Sequence, residues 1–156
     1  MDIFQIVGSG EIANYYAIIE KTDLNSVNQY KQNLLQIAIA KEHVEIGLDL
    51  ISRGIDVNNQ DTNGKTALHY AAEYNSVKLA AAIIMNGGDV NIIDSYGNNA
   101  LWTATFNTKD DYRLLKLYVS SGGNPTNKNL SGRSPLDFAR QVGDEVGVGI
   151  LLSRSN

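Results

Sequence analysis

The chain has two histidines, His43 and His69, and no cysteine among its 156 residues. The groups that most often move protons, bind transition metals or attack as thiolates near neutral pH are therefore scarce. A zinc site needs three or four convergent His, Cys or carboxylate ligands, and two histidines far apart in sequence do not begin one. No serine stands in a GxSxG elbow, and no histidine is left over to activate one. The run GDEVGVG, 143–149, has the glycines of a phosphate loop without the Lys-Ser/Thr that such a loop needs. Asp110 and Asp111 are adjacent carboxylates of the kind that serve calcium or magnesium, but two solvated acids beside a helix amino terminus are the simpler reading. These residues predict no catalytic site, no metal and no cofactor. A carboxylate pair assembled only by the fold is the enzyme reading left standing.

Composition narrows the partner. A net charge of −4 and a pI near 5.1 oppose a polyphosphate backbone or an anionic bilayer, so neither nucleic acid nor membrane is expected. The opening MDIFQIVGSGEIANYY has an acid at Asp2 and an apolar run broken by Gly8 and Gly10, unlike a secretory signal. With zero cysteines this predicts a cytoplasmic location.

His69 lies in TALHYA (66–71), and that hexapeptide recurs. NLLQIA (33–38), NALWTA (99–104) and SPLDFA (134–139) align with it through Leu35, Leu68, Leu101 and Leu136, at spacings of 33, 33 and 35. RGIDVN (53–58), NGGDVN (86–91) and the weaker SGGNPT (121–126) form a second marker with the same lengthening. Both series gain two residues at one place, NTKDD (107–111). A period near 33 marks stacked-repeat architecture. Residues 61–91, DTNGKTALHYAAEYNSVKLAAAIIMNGGDVN, carry the full pattern and resemble the ankyrin-repeat family. The resemblance implies an all-α solenoid of helix-turn-helix units joined by β-turn or hairpin connections. About five repeats are expected in a single domain: 1–27 as an amino-terminal cap, 28–60, 61–93, 94–128, and 129–156 as a carboxy-terminal cap.

The residues support the same division. Thr66 is placed to cap a helix over 67–74, Asn75 interrupts it, and Val77 to Ile84 give a second apolar face stopped by Gly87 and Gly88. Helices this short are unstable alone and must stack. Asn33, Asn99 and Ser134 replace Thr66 as caps, and the proline usual in the family after the capping residue survives only as Pro135. Gly143, Gly147 and Gly149 fall, in register, on the last second helix and predict a frayed cap. Ile3, Phe4, Ile6 and Val7 at one end, and Val148, Ile150, Leu151 and Leu152 with a closing SRSN at the other, read as caps of a complete chain. In the family the Thr and His of the TxLH pattern bond one another and the adjacent turn. The resemblance thus makes Thr66 and His69 structural, which agrees with Gln36, Trp102 and Asp137 standing at the corresponding positions. His43 is expected to pack a loop.

The work then falls to a surface. The resemblance implies that turn tips and first helices line a concave face where partner proteins dock. Carried onto this chain, that face holds Tyr30 and Lys41, then Asn63, Lys65, Glu73 and Tyr74, then Tyr96, Asn98, Phe106 and Asn107, then Arg133; Trp102, whose place in the TxLH pattern points it between repeats, is expected mainly to pack, with a partly exposed edge as its candidate contact. Asp110 and Asp111 of the insertion form a secondary candidate. Exposed aromatic residues in a row have the composition of interface anchors. The expected function is non-catalytic binding and inhibition of a partner protein by a chain that is monomeric when free. Its acidity suits a basic toxin or enzyme, as for a bacterial toxin-neutralising immunity protein. A scaffold or regulatory adaptor, and a small carboxylate enzyme, are the rival readings.

Overall fold

Ten helices in five consecutive pairs make up the computed structural model, which describes residues 1–153; Arg154, Ser155 and Asn156 of the closing SRSN lie outside the described residues. The pairs are α1 (Ile3–Ser9) with α2 (Ile12–Ile18), α3 (Leu34–Ala40) with α4 (Val44–Ser52), and α5 (Ala67–Glu73) with α6 (Val77–Met85). They continue with α7 (Ala100–Phe106) and α8 (Arg113–Ser120), then α9 (Pro135–Gln141) and α10 (Glu145–Leu152). No strand occurs among the described residues. The amino-terminal segment, which the repeat pattern matches only in part, also folds as a helix pair, extended by a 3-10 turn over Ile19–Lys21.

Two layers follow from the pairing. The first helices α1, α3, α5, α7 and α9 pack one on the next, and α4, α6, α8 and α10 form a second row behind them. Leu35, Leu68, Leu101 and Leu136, the residues that set the sequence period, are all buried in the core. Removing each from water contributes about 1.5–3 kcal/mol, which is what stabilises seven-residue helices that would not persist alone. Tyr118 reaches across the layers, fully buried, and its hydroxyl donates to the Leu68 carbonyl at 2.6 Å.

Helix starts form without proline in three of the four later repeats. Asn33, Thr66, Asn99 and Ser134 each hold extended backbone, with ψ between 165° and 175°, immediately before the first helix. The Asn33, Asn99 and Ser134 side chains accept from the backbone N–H three residues on, at 3.0–3.1 Å. Each cap satisfies the orphan N–H at the third helical position, a donor that a proline at the first position would not remove, and Ser134 caps in the same way with Pro135 present. At the far end, α10 runs to Leu152 with Asp144 capping the Gly147 N–H at 2.9 Å. This corrects the placement of Gly143, which lies in the turn before α10, while Gly147 and Gly149 are carried inside the helix.

The turns between pairs are tied to one another. Asn28, Asp61, Asp94 and Asn129 each use one side-chain oxygen to accept from the backbone N–H groups two and four residues later, at 2.8–3.1 Å. Each closed turn then bonds the next: Thr62 N–H to the Tyr30 carbonyl, Ser95 N–H to Asn63, and Leu130 N–H to Tyr96, at 2.9–3.0 Å. Gly64 sits at φ +73°, and a Cβ there would come within 2.9 Å of the Ser95 nitrogen, so both its backbone conformation and the close approach of the following turn exclude a side chain.

His69 joins the third pair to the fourth. Its Nδ1 receives the Thr66 N–H at 3.1 Å and lies 2.9 Å from the Thr66 hydroxyl. The proton therefore resides on Nε2, which donates to the Asn98 carbonyl of the next turn at 2.9 Å. Gln36 does the same work one repeat earlier, accepting from Asn33 N–H at 2.9 Å and donating to the Lys65 carbonyl at 2.8 Å. His69 is 1% exposed, and burial lowers its pKa. His43 packs a loop, its Nε2 3.2 Å from the Gly8 carbonyl.

Candidate partner-binding face

Because the turns and first helices repeat in register, their outward positions fall on one side of the stack. Tyr30, Tyr96 and Phe106 are 56%, 65% and 61% exposed, and Tyr74 is 39% exposed. Local structure explains why each stays out. Tyr30, Asn63 and Tyr96 occupy turn tips whose backbone is fully engaged in the ladder, leaving the side chains outside it. Tyr74 and Phe106 lie at the carboxy-terminal ends of α5 and α7. Tyr74 stacks on Tyr70, with centroids 6.5 Å apart and planes 15° from parallel. Tyr70 itself is buried, its hydroxyl donating to Asp61 at 2.6 Å and accepting from Gln32 at 2.7 Å; burial and then the Asp61 carboxylate push its pKa up.

One pair of candidates is tied within its own repeat, and another candidate is held between repeats. Lys65 pairs with Glu73 at 3.0 Å, which spans the length of one first helix. Asn98 is half-buried, its carbonyl taken by His69 and its side-chain oxygen by Asn129 at 2.9 Å. Lys41 is exposed at the end of α3.

At the fourth repeat the hydrogen-bond bridge gives way to aromatic packing. Trp102 occupies the place of Gln36 and His69 but is half-buried, its ring 5.4 Å from Phe138 of the last pair. Phe106 lies 5.3 Å from the same ring, and the Arg133 guanidinium carbon is 5.9 Å from its centroid. Phe138 thus gathers three of the candidates, Trp102, Phe106 and Arg133, into one cluster. In sequence Phe138 lies one place beyond the TxLH-type position, where Tyr70 serves the third repeat as core, and so has the pattern of a core residue. Two aromatics in one repeat facing a third in the next was the available signal.

The inserted segment separates two grooves. Three residues join the helices of the other later pairs, whereas 107–112 join α7 to α8. Lys109 and Asp110 take left-handed backbone, φ 41° and 68°. On one side a 400 Å³ groove is lined by Glu73, Tyr74, Asn75, Asn107, Lys109 and Asp111 among others. Asn75 donates to Asp111 at 2.9 Å, tying the loop to the preceding repeat. Asp111 also forms a 2.7 Å ion pair with Arg113, and these contacts, Arg113 foremost, hold its carboxyl well below the usual range. On the other side a 530 Å³ groove lies between the fourth and fifth pairs, with Phe106 and Phe138 in its wall and Lys109, Asp110, Asp144 and Glu145 around it. Tyr112 donates to Asp144 at 2.8 Å there, and that bond raises the Tyr112 pKa. Asn75, Tyr112, Phe138, Asp144 and Glu145 are lining residues beyond those read from sequence.

Among the described residues no group of three or more His, Cys, Asp or Glu is placed to hold a metal ion, and no helix is long and apolar enough to cross a membrane. What the arrangement offers is an amphipathic surface: aromatic rings with hydroxyl, amide and carboxylate neighbours on a hydrogen-bonded frame. Comparison with known proteins agrees with the fold. A family model for ankyrin repeats in three copies matches residues 3–94. The mouse protein described as "Protein fem-1 homolog A-like" is 42% identical over 53 residues, which is 34% of this chain and 8% of that protein's length.

Proposed function

Because the chain belongs to the ankyrin-repeat family, which marks it as a protein–protein interaction module, we propose that it binds a partner protein through its turn tips and first helices and inhibits that partner by covering its surface. The observation that carries this reading is the row Tyr30, Tyr74, Tyr96 and Phe106, four large aromatic side chains at least 39% exposed on the side bearing the turns and first-helix ends. Rings of this kind bury much area at little cost in rotamer freedom, and their polar surroundings keep the free surface wetted. Steric occupation needs nothing further, since a rigid face held by the turn ladder loses little entropy on binding. The net charge of −4 suits a basic partner, and a toxin neutralised by this chain as its immunity protein is the specific form of the proposal.

The test is capture of the partner from the native cell by the tagged chain, repeated with Tyr74→Ala and Tyr96→Ala and with Lys78→Ala on the second helix row as control. The reading expects the tyrosine variants to lose the partner while keeping wild-type far-UV circular dichroism, and the captured protein's own activity to fall in proportion to added chain. Substrate turnover by the purified chain alone, or a partner indifferent to both tyrosines, ends it.

A further inference from the structure

The groove between the fourth and fifth helix pairs differs from the rest of the face in combining an aromatic wall with an excess of carboxylate. Phe106 and Phe138 stand with centroids 5.3 Å apart and planes 36° from parallel, Phe106 being 61% exposed. Three carboxylates, Asp110, Asp144 and Glu145, line the 530 Å³ space against one ammonium, Lys109. Among the described residues Asp110 and Glu145 form no ion pair. Asp144 uses Oδ1 for the Tyr112 hydroxyl and the Gly147 N–H, which leaves Oδ2 available. The cluster already tolerates a guanidinium, since Arg133 places its own within 5.9 Å of the Phe138 centroid.

We propose that this groove receives an arginine side chain of the partner protein. The proposal rests on the protein-binding reading above and specifies the chemistry of one contact. An apolar side chain would leave the carboxylates desolvated and unpaired, and an anion would be repelled. A guanidinium satisfies both walls: its flat face lies on the ring of Phe106 or Phe138, and its fork of N–H donors reaches carboxylate oxygens at the rim. A lysine ammonium is a compact, strongly hydrated charge that offers no planar face to stack. Lys109 at the groove, and Arg133 on the Phe138 ring, compete with the incoming cation.

The probe is the peptide acetyl-Gly-Gly-Arg-Gly-Gly-amide, compared with its lysine and citrulline counterparts. Binding to the full chain is followed by backbone amide chemical shifts and by the fluorescence of Trp102, the chain's single tryptophan. Saturable shifts at 106–112 and 138–146 are expected with the arginine peptide and none with the citrulline peptide, which keeps the shape and loses the charge. The lysine peptide should bind several-fold more weakly. Phe106→Ala and Glu145→Gln should each weaken the arginine peptide by about fivefold to tenfold, and Lys109→Gln should strengthen it. Equal binding of arginine and citrulline peptides, equal binding of arginine and lysine peptides, or shifts that survive both weakening variants would overturn the assignment. A captured partner lost by Tyr74→Ala and Tyr96→Ala but retained by the Phe106→Ala, Glu145→Gln double variant would also overturn it, while leaving the face as the binding surface. A partner indifferent to every variant would overturn the face instead.

Discussion

Replacing His69 by alanine and by glutamine separates a structural imidazole from a reactive one. The alanine variant leaves the Thr66 N–H and the Asn98 carbonyl, now bonded at 3.1 and 2.9 Å, without partners in a site that is 1% exposed. Each unpaired buried group costs about 1–3 kcal/mol, and the lost ring packing adds to this, so a destabilisation of about 3–4 kcal/mol is expected. For a chain of this size that corresponds to a fall of about 10 °C in Tm. Glutamine should cost about 1 kcal/mol or less, because Gln36 already makes the same two bonds in the preceding repeat. Urea unfolding followed at 222 nm measures both. The pH dependence adds an independent check. Burial depresses the folded-state pKa of His69 below its ordinary value, so the folded protein refuses a proton that the unfolded chain accepts. Its contribution is complete above the unfolded pKa of about 6.5 and is lost as pH falls below that toward the folded pKa. The stability advantage of wild type over His69→Gln should therefore shrink on going from pH 7.5 to pH 5. An alanine variant within 1 kcal/mol of wild type, a glutamine variant as damaged as alanine, or a pH-independent difference between wild type and His69→Gln would refute the bridging role.

Other perturbations test the frame and the loop. Lys31 holds φ +57° where Gly64, Gly97 and Gly132 occupy the matching turns at φ +73° to +77°, so Lys31→Gly should raise the urea midpoint by about 0.5–1 kcal/mol of stability, with relief of left-handed strain exceeding the added chain entropy. Gly64→Ala adds a Cβ within 2.9 Å of the Ser95 nitrogen and should destabilise by about 2 kcal/mol or more, with loss of hydrogen-exchange protection at Ser95. Deleting Lys109 and Asp110, both in left-handed backbone, should leave helical circular dichroism unchanged and thermal stability within about 1 kcal/mol of wild type, since it shortens the connection between α7 and α8 toward the three residues of the other later pairs and removes two strained positions. Asp61→Ala removes the acceptor of two turn N–H groups and of the Tyr70 hydroxyl; unfolding should show a loss of about 2–4 kcal/mol.

The period of 33 residues, the capping positions and the buried leucines were legible in the chain because they depend on local rules that each repeat obeys by itself. Leu35, Leu68, Leu101 and Leu136 must face inward wherever a short helix begins after a capping residue, and the equivalence of Gln36 with His69 could be read from alignment of the repeats alone. Proline's absence from three helix starts was equally visible, and those starts form on the same kind of capping residue as the one that keeps its proline. The candidate face was legible only as a row of exposed positions. Tertiary structure decided how neighbouring repeats share space. It made Phe138 the centre of an aromatic cluster with Trp102, Phe106 and Arg133. It turned a two-residue insertion into a ridge between two grooves, and brought Asp144 and Glu145 beside Asp110. The physical reason is range: hydrogen bonds and caps act within a few residues, whereas a groove is the volume left between two surfaces whose separation is fixed by every helix packed behind them.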